Sequence, residues 1–294
     1  MPTKTSPAKA EAVLLRADNL AHERWLAHAF STRKPPGAAR ARNDFNLGYT
    51  EGTPRATTDR NRATFIAVLA NQQHWQLAGV KQIHSDIIHV LRTAPAELPA
   101  GDGLVTNVPG LLLSVKTADC LPVLLADPKH RAVGAFHAGW RGTLARIVEK
   151  GVGVMRREFG GDAAQLVAAI GPGIHACSYE VSDDVRDQFA SQFAYAAELF
   201  AENFDVDPVR RKYPLLFMNA RAPGHAEVSR QLHLDLVEAN RRQLLAAGVR
   251  AENIWTSPLC TACRTDLLFS HRAEHGKTGR MMSVIGIVKS EGTH

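Results

Sequence analysis

Cysteine is scarce in this chain, and its scarcity excludes one class of protein. Four cysteines in 294 residues are too few for the disulfide framework of a small secreted domain. No run reaches the ~18 uninterrupted apolar residues of a membrane-spanning helix, because Lys116 and Asp119 interrupt the most apolar stretch. Residues 1–10 lack the apolar segment of a signal peptide. We therefore expect a soluble, cytoplasmic protein with a flexible tail over residues 1–10.

The basic residues show no clustering. Lysine and arginine outnumber aspartate and glutamate by 35 to 29, which gives a formal net charge of +6. The basic side chains lie singly and in pairs, and no nucleic-acid-binding motif is present. We expect no nucleic acid and no membrane as partner. The excess charge favours solubility and would also attract an anionic small substrate.

No linker divides the sequence. A chain of 294 residues, 45% of them hydrophobic, can form one or two domains. The candidate site residues named below extend from Asn46 to Arg280, so a central division would cut through the site. Strand-like and helical segments interleave without a strict βαβ order. The sequence therefore predicts an α+β fold of mixed β-sheets with flanking helices, as a single domain over residues 11–294.

A β-hairpin is the most informative local prediction. Two apolar runs, Leu121–Ala126 and Arg131–Phe136, flank the polar breaker Asp127–His130, which is typical of two strands joined by a tight turn. In the simplest antiparallel register, Cys120 faces His137 across the open end. Directly opposed residues have Cβ atoms about 4.5–5.5 Å apart, which suits a thiolate and an imidazole that share one Zn²⁺ ion.

A third ligand is expected from the strand-like run Gly79–Val90, which offers His84 and His89. On a strand these two histidines face opposite sides. His84 has the more polar surroundings, where hydrogen-bonding partners of a metal ligand are expected, and His89 is assigned to the core. From the residues alone an alternative stays open: Cys120 can be a small buried hydrophobe and the histidines structural.

Several ordered segments carry a resemblance to a known family. They are Lys81-Gln-Ile-His84, Thr117-Ala-Asp-Cys120, His137-Ala-Gly-Trp-Arg-Gly142 and Ile170-Gly-Pro-Gly-Ile174, together with Phe45–Gly48, Ser270–Arg272 and Thr278–Arg280. This order of motifs resembles the YfiH family, also called laccase-domain or polyphenol oxidase-like proteins. The similarity covers nearly the whole chain beyond the first forty residues. It implies a YfiH-like fold.

The resemblance also implies an activity and a cofactor. The family's zinc ion, bound by one cysteine and two histidines, falls on His84, Cys120 and His137. The implied substrates are purine nucleosides and phosphate, with phosphorolysis of adenosine, inosine and methylthioadenosine and with adenosine deamination alongside it. Three protein ligands leave the fourth zinc position open, as in catalytic sites. Copper can also bind such a site in vitro.

Two further assignments come from position in the sequence. Asp119 is a candidate proton shuttle because it adjoins Cys120. The glycine-containing turn before Thr143 predicts a helix N-terminus that suits phosphate, and Arg141 adds a guanidinium fork for the same anion. The alternative is that the glycines serve close packing and Arg141 pairs with a structural acid.

The resemblance supplies the remaining substrate candidates. It places Asn46, Tyr179, Arg272 and Arg280 near the substrate, with Tyr179 able to stack on a base. The alternatives are an amide that satisfies turn backbone for Asn46 and a core position for Tyr179. Many family members have a second basic residue where this chain has Ala273, so a paired-arginine anion site is in doubt.

The other cysteines are assigned to structure. Cys260 and Cys263 form a Cys-x-x-Cys pair, but a structural zinc site needs a second Cys/His pair of similar spacing, and none is evident nearby. We interpret both as buried structural thiols. His175 and Cys177 lie in a turn-rich loop and are not assigned as ligands.

Periodicity and capping patterns predict the other elements. We expect an edge strand over Ala12–Leu15, a surface loop over Asp207–Pro214, and helices over Thr58–Gln72, from Thr143 to Gly151 or Gly153, from Ser182, over Phe189–Phe204 and over His233–Gly248.

Three rival functions stay open at this level. A copper-dependent polyphenol oxidase normally has His-x-His pairs, and none of the 13 histidines forms one. A metal-free cysteine hydrolase would use Cys120 as nucleophile and His137 as base, and a link of the family to peptidoglycan-precursor editing fits a hydrolytic role. A catalytically silent interaction protein is the third. The oligomeric state is open, a monomer included.

Overall fold

The computed structural model describes residues 14–35, 45–69, 73–204 and 230–289. Within these ranges fourteen strands form three sheets. The strands are β1 Leu14–Leu15, β2 Leu26–Ser31, β3 Gln76–Ala78, β4 Ile88–Val90, β5 Gly103–Thr106, β6 Leu111–Thr117, β7 Leu121–Asp127, β8 Ala132–Ala138, β9 Val167–Ile170, β10 Glu180–Val181, β11 Phe200–Phe204, β12 Arg230–Leu234, β13 Ile254–Thr256 and β14 Met281–Ile287. The helices are α1 Asp18–Ala21, α2 Arg55–Leu69, α3 Trp140–Leu144, α4 Ile147–Phe159, α5 Asp183–Gln192 and α6 Leu236–Ala246.

The sheets mix parallel and antiparallel pairs, as an α+β fold requires. The largest sheet has the order β13-β9-β7-β8-β5-β4, the second β1-β2-β14-β6-β3 and the third β10-β12-β11. The centre of the largest sheet is antiparallel, whereas its two edge pairs, β13 with β9 and β4 with β5, are parallel. The predicted fold class, mixed sheets with flanking helices, is confirmed.

The largest sheet forms the middle layer of the molecule. Every residue of β7 and β8 is buried, which explains why both runs are continuously apolar. Val123 and Leu125 pack in the same cluster as Val152 of α4. Leu124 packs on the other face, in the cluster that contains Ile285 of the second sheet. Helices and a second sheet therefore cover opposite faces of the sheet that carries the hairpin.

The hairpin is confirmed, but its predicted register is wrong by two residues. Leu121 pairs with Ala138 and Pro122 with His137. The four-residue turn moves by one position, from 127–130 to 128–131. The first strand extends through Asp127, and Arg131, which has a left-handed backbone with φ of 49°, joins the turn. An even shift preserves the facing of side chains. Cys120 therefore still lies at the same end as His137, diagonally rather than directly opposite.

The helix after the hairpin differs from its prediction at both ends. It begins at Trp140 rather than Thr143, and a break at Arg146 separates α3 from α4. Helix α4 continues through Gly151 and Gly153 and is terminated by Gly160, whose φ is 77°. A Cβ at Gly151 would lie 2.6 Å from the ring of Phe136. Gly151 is therefore a packing residue and not a helix stop.

Two predicted helices also have different boundaries. The segment Phe189–Phe204 is not one helix: α5 ends at Gln192 and Phe200–Phe204 forms β11. The ring of Phe200 packs edge-on against Phe189 at 5.8 Å between centroids, so the chain folds back on the helix. The helix expected from His233 begins one turn later, because Asp235 caps α6 by accepting a hydrogen bond from the Glu238 N–H.

Other local predictions agree with the described structure. The edge strand is present as Leu14–Leu15, the first amphipathic helix as Arg55–Leu69, and Ser182 precedes α5 at its N-terminus. The tail over residues 1–10 and the loop Asp207–Pro214 lie outside the described residues. Among the residues described, no helix has the length and apolar character to cross a membrane.

Two glycines on the same helix give a matched test of this packing. Gly151→Ala should lower the free energy of unfolding by about 1–3 kcal/mol, because the new methyl group overlaps the Phe136 ring. Gly153→Ala has open space around the added Cβ and should raise stability by up to about 1 kcal/mol through helix propensity. Urea denaturation measures both. Equal effects of the two substitutions would contradict the packing assignment.

Candidate functional site

A buried carboxylate organises the candidate site. Asp102, immediately before β5, is fully buried and accepts hydrogen bonds from three successive backbone N–H groups, those of Ile83, His84 and Ser85. The Ser85 hydroxyl also donates to it at 2.8 Å. These bonds turn the chain around the carboxylate and hold His84 in a left-handed conformation with φ of 59°. The expected strand through His84 is therefore wrong: the histidine is exposed in a loop between β3 and β4.

The same carboxylate orients the second histidine. The Nδ1 atom of His137 on β8 lies 2.8 Å from Asp102 Oδ1, and both side chains are buried. This contact leaves Nε2 of His137 to face Cys120. Histidines that bind a metal through one ring nitrogen commonly donate the other ring N–H to a carboxylate in this way. Burial raises the pKa of Asp102, but the hydrogen bonds from His137 and Ser85 outweigh it, and the net pKa is lowered.

The three expected ligand side chains meet at one point. The donor atoms of His84, Cys120 and His137 all lie within 4.8 Å of one another, and the two imidazole rings are edge to face with centroids 4.9 Å apart. Tetrahedral zinc requires nitrogen and sulfur ligands about 3.3–3.6 Å apart, which small side-chain rotations reach. A Cβ at Gly139 would lie 2.9 Å from the Cys120 sulfur. The glycine therefore keeps this space free.

The metal-free donors form an ion pair. Burial raises the pKa of Cys120, but the positive charge of His137 and hydrogen bonds from both histidines lower it to about 6. Burial lowers the pKa of His137, but the Cys120 thiolate and the Asp102 carboxylate raise it to about 9. Near neutral pH the sulfur is already a thiolate. A metal ion that binds here displaces the imidazolium proton.

Asp119, the candidate proton shuttle, faces a different set of partners. It is buried, has a φ of 91°, and accepts hydrogen bonds from the hydroxyls of Thr261 at 2.6 Å and Ser270 at 2.7 Å. The backbone N–H of Arg272 donates to its other oxygen at 2.6 Å. Three donors thus occupy the carboxylate. The geometry favours a role in positioning Arg272 over one in carrying protons.

Asn46 is satisfied within its own loop. Its side-chain NH₂ donates to the hydroxyls of Thr50 and Thr53, and its side-chain oxygen accepts from the backbone N–H groups of Gly48 and Arg280. All four hydrogen bonds of the amide are therefore made inside the protein. This is the turn-satisfying alternative, and it makes Asn46 a support for Arg280.

Three arginines and one tyrosine lie near Cys120 along the fold. The backbone N–H of Arg272 donates to Asp119, and Met281, which follows Arg280, pairs with Thr117. Arg141 follows Gly139, at which a Cβ would touch the Cys120 sulfur.

The charges of Cys120, Arg272 and Arg141 all act on the phenol of Tyr179, and the Arg272 guanidinium lies 5.5 Å from the Tyr179 ring centroid. Burial lowers the pKa of Arg280, and the negative charges of Cys120 and Asp119 oppose this effect. Among the described residues these three arginines have no carboxylate partner. The Nη1 atom of Arg280 donates to the carbonyl oxygens of Thr278 and Gly279. Its other N–H groups and the guanidinium groups of Arg141 and Arg272 are available to an anion.

The helix N-terminus expected at Thr143 lies earlier in the chain, because α3 begins at Trp140 after Gly139. Phosphate binding at this N-terminus stays a prediction. Thr143 is fully buried inside α3, and its hydroxyl accepts a hydrogen bond from Asn240 at 2.9 Å. Arg141 is exposed, and its guanidinium lies 4.3 Å from the Trp140 ring centroid. His89 is half-buried rather than in the core, with its Nε2 2.8 Å from the Ala100 carbonyl oxygen.

Sequence reasoning missed two features of the site region. Asp102 was available as a signal, because it is an acidic residue between two glycines at the start of an apolar strand. The second is a group of three sulfurs, in which Cys177 joins Cys260 and Cys263. The interpretation of the last two as buried thiols is wrong for Cys263, which is exposed.

Comparison with known proteins gives consistent results. Residues 27–288 match the model of a family described as multi-copper polyphenol oxidoreductase laccase. A purine nucleoside phosphorylase of Deinococcus radiodurans is 36% identical over 283 residues, which are 95% of this chain and 94% of that protein. Adenosine deaminase RL5 of an unknown prokaryotic organism is 35% identical over 65% of this chain and 63% of its own length. The crystal structure of the hypothetical protein YfiH of Bacillus licheniformis superposes with a TM-score of 0.76 at 29% identity and covers 96% of this chain and 100% of that chain.

Removing the organising carboxylate tests the site directly. Asp102→Asn should lower zinc affinity by about 10–100-fold, because a neutral amide no longer fixes His137 or the loop of His84. Competition with a chromophoric chelator measures the affinity. The matched control is Asp86→Asn, on the same loop, whose carboxylate pairs with Lys150 at the surface. Unchanged affinity in Asp102→Asn would contradict this role.

The ionisation of Cys120 gives a second test. In chelator-stripped protein its alkylation rate should rise through pH 6, where the lowered pKa lies, and level off above about pH 7 as the thiolate becomes fully populated. Peptide mapping resolves Cys120 from the other cysteines. His137→Asn should move the midpoint toward about 8.5, and zinc added first should block the reaction. A wild-type midpoint between about 8 and 9 would contradict the ion pair.

Proposed function

The chain belongs to the YfiH-like family described as multi-copper polyphenol oxidoreductase laccase, and from that membership we propose that it is a zinc-dependent purine nucleoside enzyme. Its proposed reaction is phosphorolysis of adenosine, inosine and methylthioadenosine to the free base and ribose 1-phosphate or the methylthio derivative. Adenosine deamination accompanies it. Relatives named purine nucleoside phosphorylase and adenosine deaminase support this class of substrate.

One juxtaposition carries the proposal: a His/Cys/His group adjoins arginines that are free of carboxylate partners among the described residues. The donor set of His84, Cys120 and His137 fits zinc by its chemistry and by the space that Gly139 leaves. Zinc held by three protein ligands is a Lewis acid with one position open to water or to a substrate atom. The arginines supply the positive charge and the paired N–H donors that bind a phosphate dianion.

In phosphorolysis a phosphate oxygen bonds to C1′ of the ribose while the bond from C1′ to N9 of the base breaks. The electron pair of that bond moves to the base, which takes up a proton. We propose that Arg141, Arg272 and Arg280 hold the phosphate and stabilise its charge as the bond forms. Burial raises the pKa of Tyr179, so its hydroxyl stays protonated, donates a hydrogen bond and leaves the ring able to stack on the base.

In deamination water adds at C6 of the purine and ammonia leaves. We propose that the ring of Tyr179 stacks on the purine and orients C6 toward the metal-binding side chains. Asp119 and Asn46 are proposed as positioning residues, because their hydrogen bonds hold the backbone of Arg272 and Arg280. This replaces direct proton transfer by Asp119 in the proposed mechanism.

Two rival chemistries fit the geometry less well. A cysteine hydrolase, with or without a role in peptidoglycan-precursor editing, needs one imidazole beside its thiol, whereas here both His84 and His137 converge on Cys120. A polyphenol oxidase requires several copper ions held by many histidines. The described residues form two possible metal groups, one with two histidines and one with none. Copper remains a metal that the first group can bind.

We also propose that residues 11–294 act as one catalytic domain and that the enzyme works in the reducing cytosol. All four cysteines are free thiols in the structure, and Cys120 must stay reduced to serve as a ligand.

A direct assay tests the proposed function. Zinc-loaded protein incubated with adenosine and phosphate should release adenine and ribose 1-phosphate, and only inosine and ammonia should form when phosphate is left out. Chromatography of the bases and nucleosides follows both reactions. Absence of adenine, inosine and hypoxanthine at high enzyme concentration would remove the nucleoside assignment.

The same assay with two arginine variants tests the anion site. Arg280→Gln should raise the KM for phosphate by about 10–100-fold, which corresponds to the loss of one hydrogen-bonded charge, with the metal content unchanged. Arg264→Gln is the matched control, because this exposed arginine already pairs with Asp266. An unchanged phosphate KM in Arg280→Gln would place the anion elsewhere.

A further inference from the structure

A second group of metal-binding side chains lies outside the site described above. The sulfur atoms of Cys177, Cys260 and Cys263 lie within 4.8 Å of one another. The topology explains their meeting. Strands β9 and β13 are parallel neighbours, so the loops that follow them leave the sheet at the same edge. The bridge between Gly173 and Cys260 continues this pairing into the loops.

The group has the dimensions of a tetrahedral site. The sulfurs of Cys177 and Cys263 are 3.5 Å apart. The hydroxyl oxygen of Ser178 lies 3.3 Å from the sulfur of Cys263, 3.6 Å from that of Cys177 and 3.9 Å from that of Cys260. Around one tetrahedral zinc ion, two sulfurs are about 3.8 Å apart and an oxygen and a sulfur about 3.5 Å. A disulfide would require about 2.0 Å.

The backbone around Cys260 stabilises a thiolate. The N–H of His175 donates to the Cys260 sulfur at 3.5 Å, and the N–H of Cys263 donates to the same atom. Hydrogen bonds to an anion of this kind favour its charged form. Burial raises the pKa of Cys177, so without metal this thiol keeps its proton, which a bound cation replaces. Soft sulfur ligands in a tetrahedral arrangement select zinc or cuprous copper over harder ions.

We propose that Cys177, Cys260 and Cys263 bind a second zinc ion, with the Ser178 hydroxyl or a water at the fourth vertex. This ion is separate from the one proposed at His84. It joins the loop that carries Tyr179 to the loop whose Thr261 hydroxyl donates to Asp119. Its role is therefore to hold the substrate side of the first site in place.

Metal binding to the full chain under reducing conditions tests this inference without any substrate. The wild-type protein should bind about two zinc ions, and X-ray absorption should give an average of about two sulfur ligands per zinc, since one site offers one cysteine and the other three. Cys120→Ser should bind about one zinc ion, with about three sulfurs. Zinc should raise the melting temperature of that variant.

The double variant Cys177→Ser/Cys263→Ser removes two exposed thiols and should keep the single zinc ion of the first site. Combined with Cys120→Ser, it should lose the melting-temperature response to zinc. A wild-type protein that binds one zinc ion with one sulfur would overturn the inference, and this readout does not depend on the folding of any variant. A disulfide between Cys177 and Cys263 in protein prepared under reducing conditions would also overturn it.

Discussion

The candidate site depends on the hydrogen bonds of one buried carboxylate. Asp102 accepts bonds from three backbone N–H groups of the loop 83–85, from the Ser85 hydroxyl and from the ring of His137. Burial of a charged carboxylate costs much free energy unless the group is paired and hydrogen-bonded, as Asp102 is here. The five donors come from two segments that are distant in the sequence. The carboxylate thereby fixes both histidines relative to the thiol that lies between them.

Two other buried polar side chains repeat this arrangement next to the arginines. Asp119 binds Thr261, Ser270 and the backbone of Arg272, and Asn46 binds the backbone of Arg280. Each joins segments that are more than a hundred residues apart, and each ends at an arginine free of carboxylate partners among the described residues. The site is thus assembled by backbone and side-chain hydrogen bonds to buried polar groups, and the proposed metal and anion ligands keep nitrogen and sulfur atoms that these bonds do not use. The proposed chemistry requires such unused atoms, because they must bind the metal ion and the phosphate.

The hairpin and the meeting of His84, Cys120 and His137 could be predicted from the sequence. Apolar runs around a polar breaker determine a strand pair, and the two-residue error in register did not move Cys120 or His137 to another face. The placement of His84 failed because a left-handed residue held by a remote carboxylate leaves no periodic signal. The meeting of Cys177 with Cys260 and Cys263 could not be predicted, because only the parallel pairing of β9 with β13 brings these loops together. Local patterns cannot report contacts of that range.

Anomalous diffraction at the zinc edge, from crystals of the zinc-loaded protein, tests the central claim most directly. The account predicts a peak about 2.0–2.1 Å from a ring nitrogen of His84 and of His137 and about 2.3 Å from the Cys120 sulfur, with Asp102 still bonded to Nδ1 of His137. A Cys120 side chain turned away from both imidazoles, with no anomalous density between them, would contradict the account.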